Sequence, residues 1–267
     1  MARTGKYERL LELLKSYGSV AVAFSGGVDS TLLLYAAREA LGDKAIAVTV
    51  MSDFIPKWES KEAEEYCRNK RIEHKIHVIE GLTIEGFAAN PKDRCYICKK
   101  ALFNKMLEIA KSAGCEAVVE GSVMDDLSDY RPGLKALSEL NIKSPLREAG
   151  ITKAEVRELS REFSLPTAEK PSYACLASRF VYGEEITIDK LRMVEEAEEI
   201  LMERGFKNMR VRIHGMMARI EVPEKDFNAL LEIKDVLIDR FKAIGFTYIT
   251  MDLQGFRSGS MNEVIKK

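Results

Sequence analysis

Ser25-Gly26-Gly27-Val28-Asp29-Ser30 stands between an apolar run, Val20 to Phe24, and a stretch with helical patterning. Strand, tight loop and helix in that order make an anion site. Two adjacent glycines let the backbone turn sharply and come close to a ligand, while the first amides of the helix carry unpaired donors at the positive end of its dipole. Ser25 and Ser30 add hydroxyl donors, and Asp29 supplies a carboxylate suited to a Mg2+ ion that bridges phosphates. No G-x-x-x-x-G-K-[ST] occurs, so the loop is not a Walker A element.

Three cysteines form the second chemical group. Cys95 and Cys98 are a C-x-x-C pair opening a helical stretch that runs toward Lys111. Such a pair serves as a redox couple, as half of a zinc site or as part of an iron-sulfur site. Cys175 lies in Ala174-Cys175-Leu176-Ala177-Ser178-Arg179, where Arg179 could lower the thiol's pKa or grip a phosphate. Cys67 and Cys115 read as packing residues, and His74 and His77 as strand or surface residues, because no third ligand stands at metal spacing.

The elements that must position these groups follow from periodicity. Lys6 to Tyr17 is an amphipathic helix; Thr31 to Leu41 is a helix ending at Gly42; Ala45 to Met51, His74 to Ile79 and Ala117 to Glu120 are further strands. Open α/β sheets place ligands beyond the carboxyl ends of their strands. That rule brings in Met51, whose backbone could read an adenine edge, and the acid-rich loop with Gly121, Asp125, Asp126 and Asp129. Thr152 and Glu155 have capping-box spacing for a helix reaching Phe163. From Glu184 onward the pattern changes: a charged helix Ile188 to Arg204, a hairpin of Met209 to His214 with Ala218 to Val222, a helix Phe227 to Ile244 and a strand Phe246 to Leu253. Arg210 and Arg212 alternate onto one strand face, and with Lys99 and Arg179 they are candidates for gripping phosphates.

The expected fold is α/β, a Rossmann-like parallel sheet over residues 1–183, with a smaller C-terminal α+β domain over residues 184–267 for substrate-phosphate binding or oligomerisation. A chain of 267 residues, 46% hydrophobic and 31% charged, is long enough for two cores, and a net charge of -1 favours small anions over a long nucleic acid. No apolar stretch approaches the roughly 20 residues that span a bilayer, so a cytoplasmic protein without membrane contact is expected.

The glycine loop resembles the PP-loop of the ATP pyrophosphatase superfamily, the adenine nucleotide alpha hydrolase type. Its members hold the leaving pyrophosphate of ATP and transfer AMP to a substrate oxygen. With D-R-C-Y-I-C-K, D-D-L-S-D-Y-R-P-G, A-C-L-A-S-R and D-L-Q-G-F-R-S-G-S following in this order, the chain resembles the LarE family over nearly its full length. That resemblance implies adenylation of pyridinium-3,5-biscarboxylic acid mononucleotide and installation of sulfur as a thiocarboxylate, toward the nickel-pincer nucleotide cofactor. It implies ATP bound by Ser25, Gly26, Gly27, Val28, Asp29, Ser30, Met51, Gly121 and Asp126, with Mg2+ on Asp29. It also implies a [4Fe-4S] cluster on Cys95, Cys98 and Cys175, whose open iron takes an exogenous sulfide; the alternatives are sacrifice of the Cys175 sulfur and a tRNA thiolase. A homo-oligomer is implied, and a hexamer would fit.

Overall fold

A computed structural model describes residues 5–128, 132–171, 174–257 and 259–263. The chain divides into two compact units, Met1–Glu80 with Cys95–Tyr173, and Gly81–Arg94 with Ala174–Lys267. In the first unit the order is α1 (Gly5–Ser16), β1 (Val20–Ala23), α2 (Val28–Leu41), β2 (Ala45–Met51), α3 (Lys57–Lys70), β3 (His74–Val78), α4 (Arg94–Ser112), β4 (Ala117–Val119), α5 (Gly133–Glu139), α6 (Pro145–Glu148) and α7 (Lys153–Glu162).

The four strands form a parallel sheet in the order β3-β2-β1-β4. Parallel strands covered on both faces read as continuous apolar runs, and Ala45-Ile46-Ala47-Val48-Thr49-Val50 is buried throughout. Period-two alternation divides β1 between two cores. Val20 and Val22 face Leu10 and Leu14 of α1, Leu32 and Leu33 of α2 and Val156 of α7. Ala21 faces the opposite way, with Val48 and with Phe103, Met106 and Ala110 of α4. The chain leaves β1 toward β2 on one side and returns through β4 on the other, so the crevice beyond β1 and β4 is the topological switch point at which such sheets bind ligands. Thr152 caps α7 through the reciprocal box with Glu155 that the sequence indicates, a contribution of about 1 kcal/mol. Two short helices, α5 and α6, have no counterpart in the sequence pattern.

The second unit carries α8 (Ile188–Glu203), β5 (Arg210–His214), β6 (Met217–Glu221), α9 (Phe227–Glu232), α10 (Lys234–Ile244) and β7 (Tyr248–Met251). β5 and β6 are the expected antiparallel hairpin, and β7 joins β6 in parallel. The expected single helix Phe227 to Ile244 is instead two: Ile233, at ψ 13°, leaves the helical ladder, which restarts where the Leu237 amide donates to the Ile233 carbonyl. Among the described residues no helix is long and apolar enough to cross a membrane.

Ion pairs are buried among the apolar side chains of this unit. Arg179, fully buried, forks onto Glu198 at 2.9 Å through both Nε and Nη2, and the Val211 amide donates to the same carboxylate. Arg212 forks onto the fully buried Glu221, which also accepts from Ser260 and Arg219. Burial pushes the Glu198 carboxyl up, but the charge and hydrogen bonds of Arg179, the charge of Arg210 and the Val211 amide outweigh it and hold the group below the usual carboxylate range. A depressed folded pKa stabilises the fold above the unfolded value of about 4.3, and that contribution is lost as pH falls through the folded pKa. Glu198→Ala strands a buried guanidinium, and a loss of about 3–5 kcal/mol is expected in urea unfolding at neutral pH. A loss below about 1 kcal/mol would contradict this role.

Candidate active site

A cavity of about 340 Å³ opens at the switch point of the first unit. Ser25, Gly27, Asp29 and Ser30 line one side, Gly121, Ser122 and Asp126 another, and Lys99, Leu102, Phe103 and Met106 a third. The loop owes its shape to local sequence. Gly26 has φ +71°, a left-handed conformation that costs glycine nothing, and Gly27 at φ −81° and ψ 167° precedes the first turn of α2. Ser30 Oγ donates to the Gly27 carbonyl, lies 3.2 Å from Ser25 Oγ and accepts from the Ser25 amide; Ser25 Oγ accepts from the Gly27 amide at 3.3 Å. The two hydroxyls thus close the loop on itself around the opening amides of α2.

Gly121 lets β4's end press against this turn. A Cβ there would lie 3.2 Å from Asp29 Cβ and from the Ser30 amide nitrogen. Gly133 acts similarly for Lys99, since a Cβ would come within 2.6 Å of Lys99 Cδ. Glu120, buried beside the cavity, accepts from Ser144 Oγ at 2.5 Å and from Ser122 Oγ at 2.7 Å. Thr49 donates its one hydroxyl proton to the Phe24 carbonyl at 2.6 Å, so His74 Nε2, 2.7 Å from the same hydroxyl, is the donor of that pair.

Asp29 has an asymmetric environment. Lys153 Nζ holds Oδ2 at 2.5 Å, whereas Oδ1 is buried and has no hydrogen-bond partner. Burial raises the Asp29 pKa, opposed by the charge and hydrogen bond of Lys153 and reinforced by the charge of Asp126. Lys153 is the first residue of α7, placed by its own amide donating to Asp125 Oδ2 at 2.8 Å. Four residues on, Arg157 donates to the carbonyls of Ala168 and Lys170, and Lys170 Nζ reaches the Gly26 carbonyl at 2.9 Å. Sequence reasoning misses Lys153, Arg157 and Lys170; the i,i+4 spacing of Lys153 and Arg157 behind a capped helix start is the available signal.

The remaining expected residues fall as follows. Val28 is buried in the core behind the loop, and Gly26 faces Ala63 of α3. Met51 ends β2 with its carbonyl taken by the Ile79 amide, and Thr49 and Val50 from that strand line the cavity. Asp126 Oδ2 accepts the Val123 amide while the residue lines the cavity; Asp129 lies outside the described residues. Cys95 and Cys98 occupy the first turn of α4, and Cys95 precedes the cavity-lining Lys99, Leu102 and Met106 by four, seven and eleven residues, which places it on their helical face. Cys175, half-buried, belongs to the second unit, where Arg179 Nη1 donates to the Ala174 and Cys175 carbonyls and to Ser178 Oγ. Arg179 therefore clamps the backbone of the Cys175 turn. Arg210 donates to the Met209 carbonyl and lies over the Phe256 ring, and Arg212 also donates to the Ser178 carbonyl. These three arginines were expected on substrate phosphates; the contacts seen here are internal to the unit. Burial pushes the Cys67 thiol up to about 12, in keeping with a packing role. Among the described residues no group of three or more His, Cys, Asp or Glu is assembled to hold a metal.

No protein-family model matches the chain. It is 38% identical to an uncharacterized protein of Synechocystis sp., covering 98% of each chain. It is 37% identical to the pyridinium-3,5-bisthiocarboxylic acid mononucleotide synthase of Lactiplantibacillus plantarum, covering 98% of this chain and 95% of the relative. A component of the glutamine-hydrolyzing GMP synthase of Pyrococcus furiosus is 28% identical over 73% of this chain and 67% of its own.

Because Lys153 lowers the Asp29 pKa against the effect of burial, Lys153→Met is expected to shift the Asp29 carboxyl titration to higher pH, followed by carbon-13 NMR of the side chain. A midpoint unmoved or lowered would show that the pair is not the dominant opposing charge.

Proposed function

The chain belongs to the LarE family, and we propose that, as a member, it uses ATP to activate a carboxylate of pyridinium-3,5-biscarboxylic acid mononucleotide and converts it to a thiocarboxylate, toward the nickel-pincer nucleotide cofactor. A single observation carries the reading. One cavity joins an anion cradle, Ser25 to Ser30, to the face of α4 that bears Cys95 one turn before Lys99.

On this reading the amides opening α2 and the hydroxyls of Ser25 and Ser30 receive the phosphates of ATP. A substrate carboxylate oxygen attacks the α-phosphorus, the bond to the bridging oxygen breaks, and pyrophosphate leaves with the electron pair. Fixed donors aimed at that leaving group lower the barrier by electrostatic stabilisation without reorganisation, and binding in one cavity supplies the alignment. Sulfide then attacks the acyl carbon and AMP departs. Lys99, with its stem seated against Gly133, presents its ammonium to the cavity for an anionic group. Leu102, Phe103 and Met106 offer an apolar wall to an aromatic base.

Mg2+ fits the residues present, because the buried Asp29 Oδ1 lacks a protein partner beside the phosphate cradle. When bound there it would neutralise charge on the departing pyrophosphate. For a [4Fe-4S] cluster the fit is partial. Cys95 and Cys98 supply two thiolates on one turn, the third ligand of this reading is Cys175, and no metal-holding group of three is assembled among the described residues. The reading further takes an exogenous sulfide source and a homo-oligomer.

Pyrophosphate release is expected to rise on adding the pyridinium mononucleotide and to be indifferent to tRNA; stimulation by tRNA alone would make the protein a tRNA thiolase. Anaerobic reconstitution is expected to load iron and sulfide on the parent protein and to fail with Cys98→Ala. Parent protein that takes up no iron, with Cys175 lighter by one sulfur in mass analysis after turnover, would replace the cluster by sacrifice of that residue.

A further inference from the structure

Lys170 is unclaimed by the chemistry above, yet it touches the phosphate loop itself. Its side chain is 13% exposed, and Nζ donates to the Gly26 carbonyl at 2.9 Å and to Glu62 Oε2 at 2.6 Å, 5.6 Å from the centre of the Trp58 ring. Trp58 and Glu62 are one turn apart on α3, and Ala63 beside them backs Gly26. Arg157 fixes the backbone of Lys170 by donating to its carbonyl at 3.0 Å. The lysine is thus held from both ends.

We propose that Lys170 is a positioning residue for the pyrophosphate part of the nucleotide: by holding the Gly26 carbonyl it turns the Gly26–Gly27 peptide so that the Gly27 N–H faces the anion cradle. This rests on the ATP-using reading of the same site. In a trans peptide the C=O and N–H point in opposite directions. With the carbonyl held by an ammonium, the Gly27 N–H points the opposite way, where it donates a long hydrogen bond of 3.3 Å to Ser25 Oγ, a residue that lines the cavity. A peptide between two glycines is the least constrained in the loop, since neither residue has a Cβ to oppose rotation. The pin removes that freedom before the ligand arrives. It also polarises the peptide, which strengthens the opposite N–H as a donor. Glu62 balances the ammonium's charge, so the effect is one of orientation more than of net charge.

The test is calorimetric titration of inorganic pyrophosphate with Mg2+ into the full-length protein, with nitrogen-15 NMR of the Gly27 amide. In the parent chain the Gly27 resonance is expected to move on pyrophosphate binding. Lys170→Met, which keeps the stem over Trp58, is expected to weaken pyrophosphate at least about tenfold, the scale of a lost charged hydrogen bond. Glu62→Gln breaks the ion pair but leaves the donor on Gly26, and is expected to stay within about twofold of the parent. Equal affinity in the parent and Lys170→Met, an equal loss in Glu62→Gln, or a Gly27 amide that does not respond would overturn the assignment while leaving ATP use intact. A parent protein that binds neither pyrophosphate nor ATP would overturn both. The Gly27 resonance needs no variant, so an amide that stays unmoved overturns the assignment even where Lys170→Met does not fold.

Discussion

Everything at the site depends on the backbone donors at the start of α2, which the helix itself cannot satisfy. In this chain that first turn follows a strand so closely that only Phe24, Ser25, Gly26 and Gly27 separate β1's end at Ala23 from α2. A left-handed Gly26 makes so tight a passage possible. The two serine hydroxyls bridge the turn internally and so hold its donors in place before a ligand binds. The sheet order then puts β4 beside β1, and Gly121 lets that neighbour approach to contact distance.

Helix α7 serves the loop from outside. Its capped start sets Lys153 against Asp29, and one turn later Arg157 holds the backbone that carries Lys170. One amphipathic helix thus governs both the carboxylate of the loop and, through a second lysine, the peptide that precedes it. The second unit uses the same chemistry for a different end: Arg179 and Arg212 neutralise buried carboxylates and tie the Cys175 turn through its carbonyls.

Legibility followed sequence separation. The phosphate loop, the strand run Ala45 to Met51 and the Thr152 cap are written in neighbouring residues, and the structure repeats them nearly to the residue. The lysines on the loop are 124 and 144 positions from their partners, Asp29 and Gly26, and no local pattern announces such a pairing. Arg212 illustrates the converse: alternation put it correctly on one face of a strand, but alternation cannot tell a solvated face from a buried one. Glu221, diagonally across the hairpin, where Arg219 stands directly opposite Arg212, turns it inward. The helix break at Ile233 carried no glycine or proline and was equally silent.

What must hold above all is attack of a substrate carboxylate oxygen on the α-phosphorus of ATP in the cavity beside Ser25 to Ser30. Oxygen-18 placed in that carboxylate follows the bond directly. Attack as described carries one labelled oxygen into AMP when sulfide displaces it, so the AMP formed should be heavier by one oxygen-18. AMP released without label, with the labelled carboxylate intact and water supplying the oxygen, would contradict adenylation and with it the function drawn from this site.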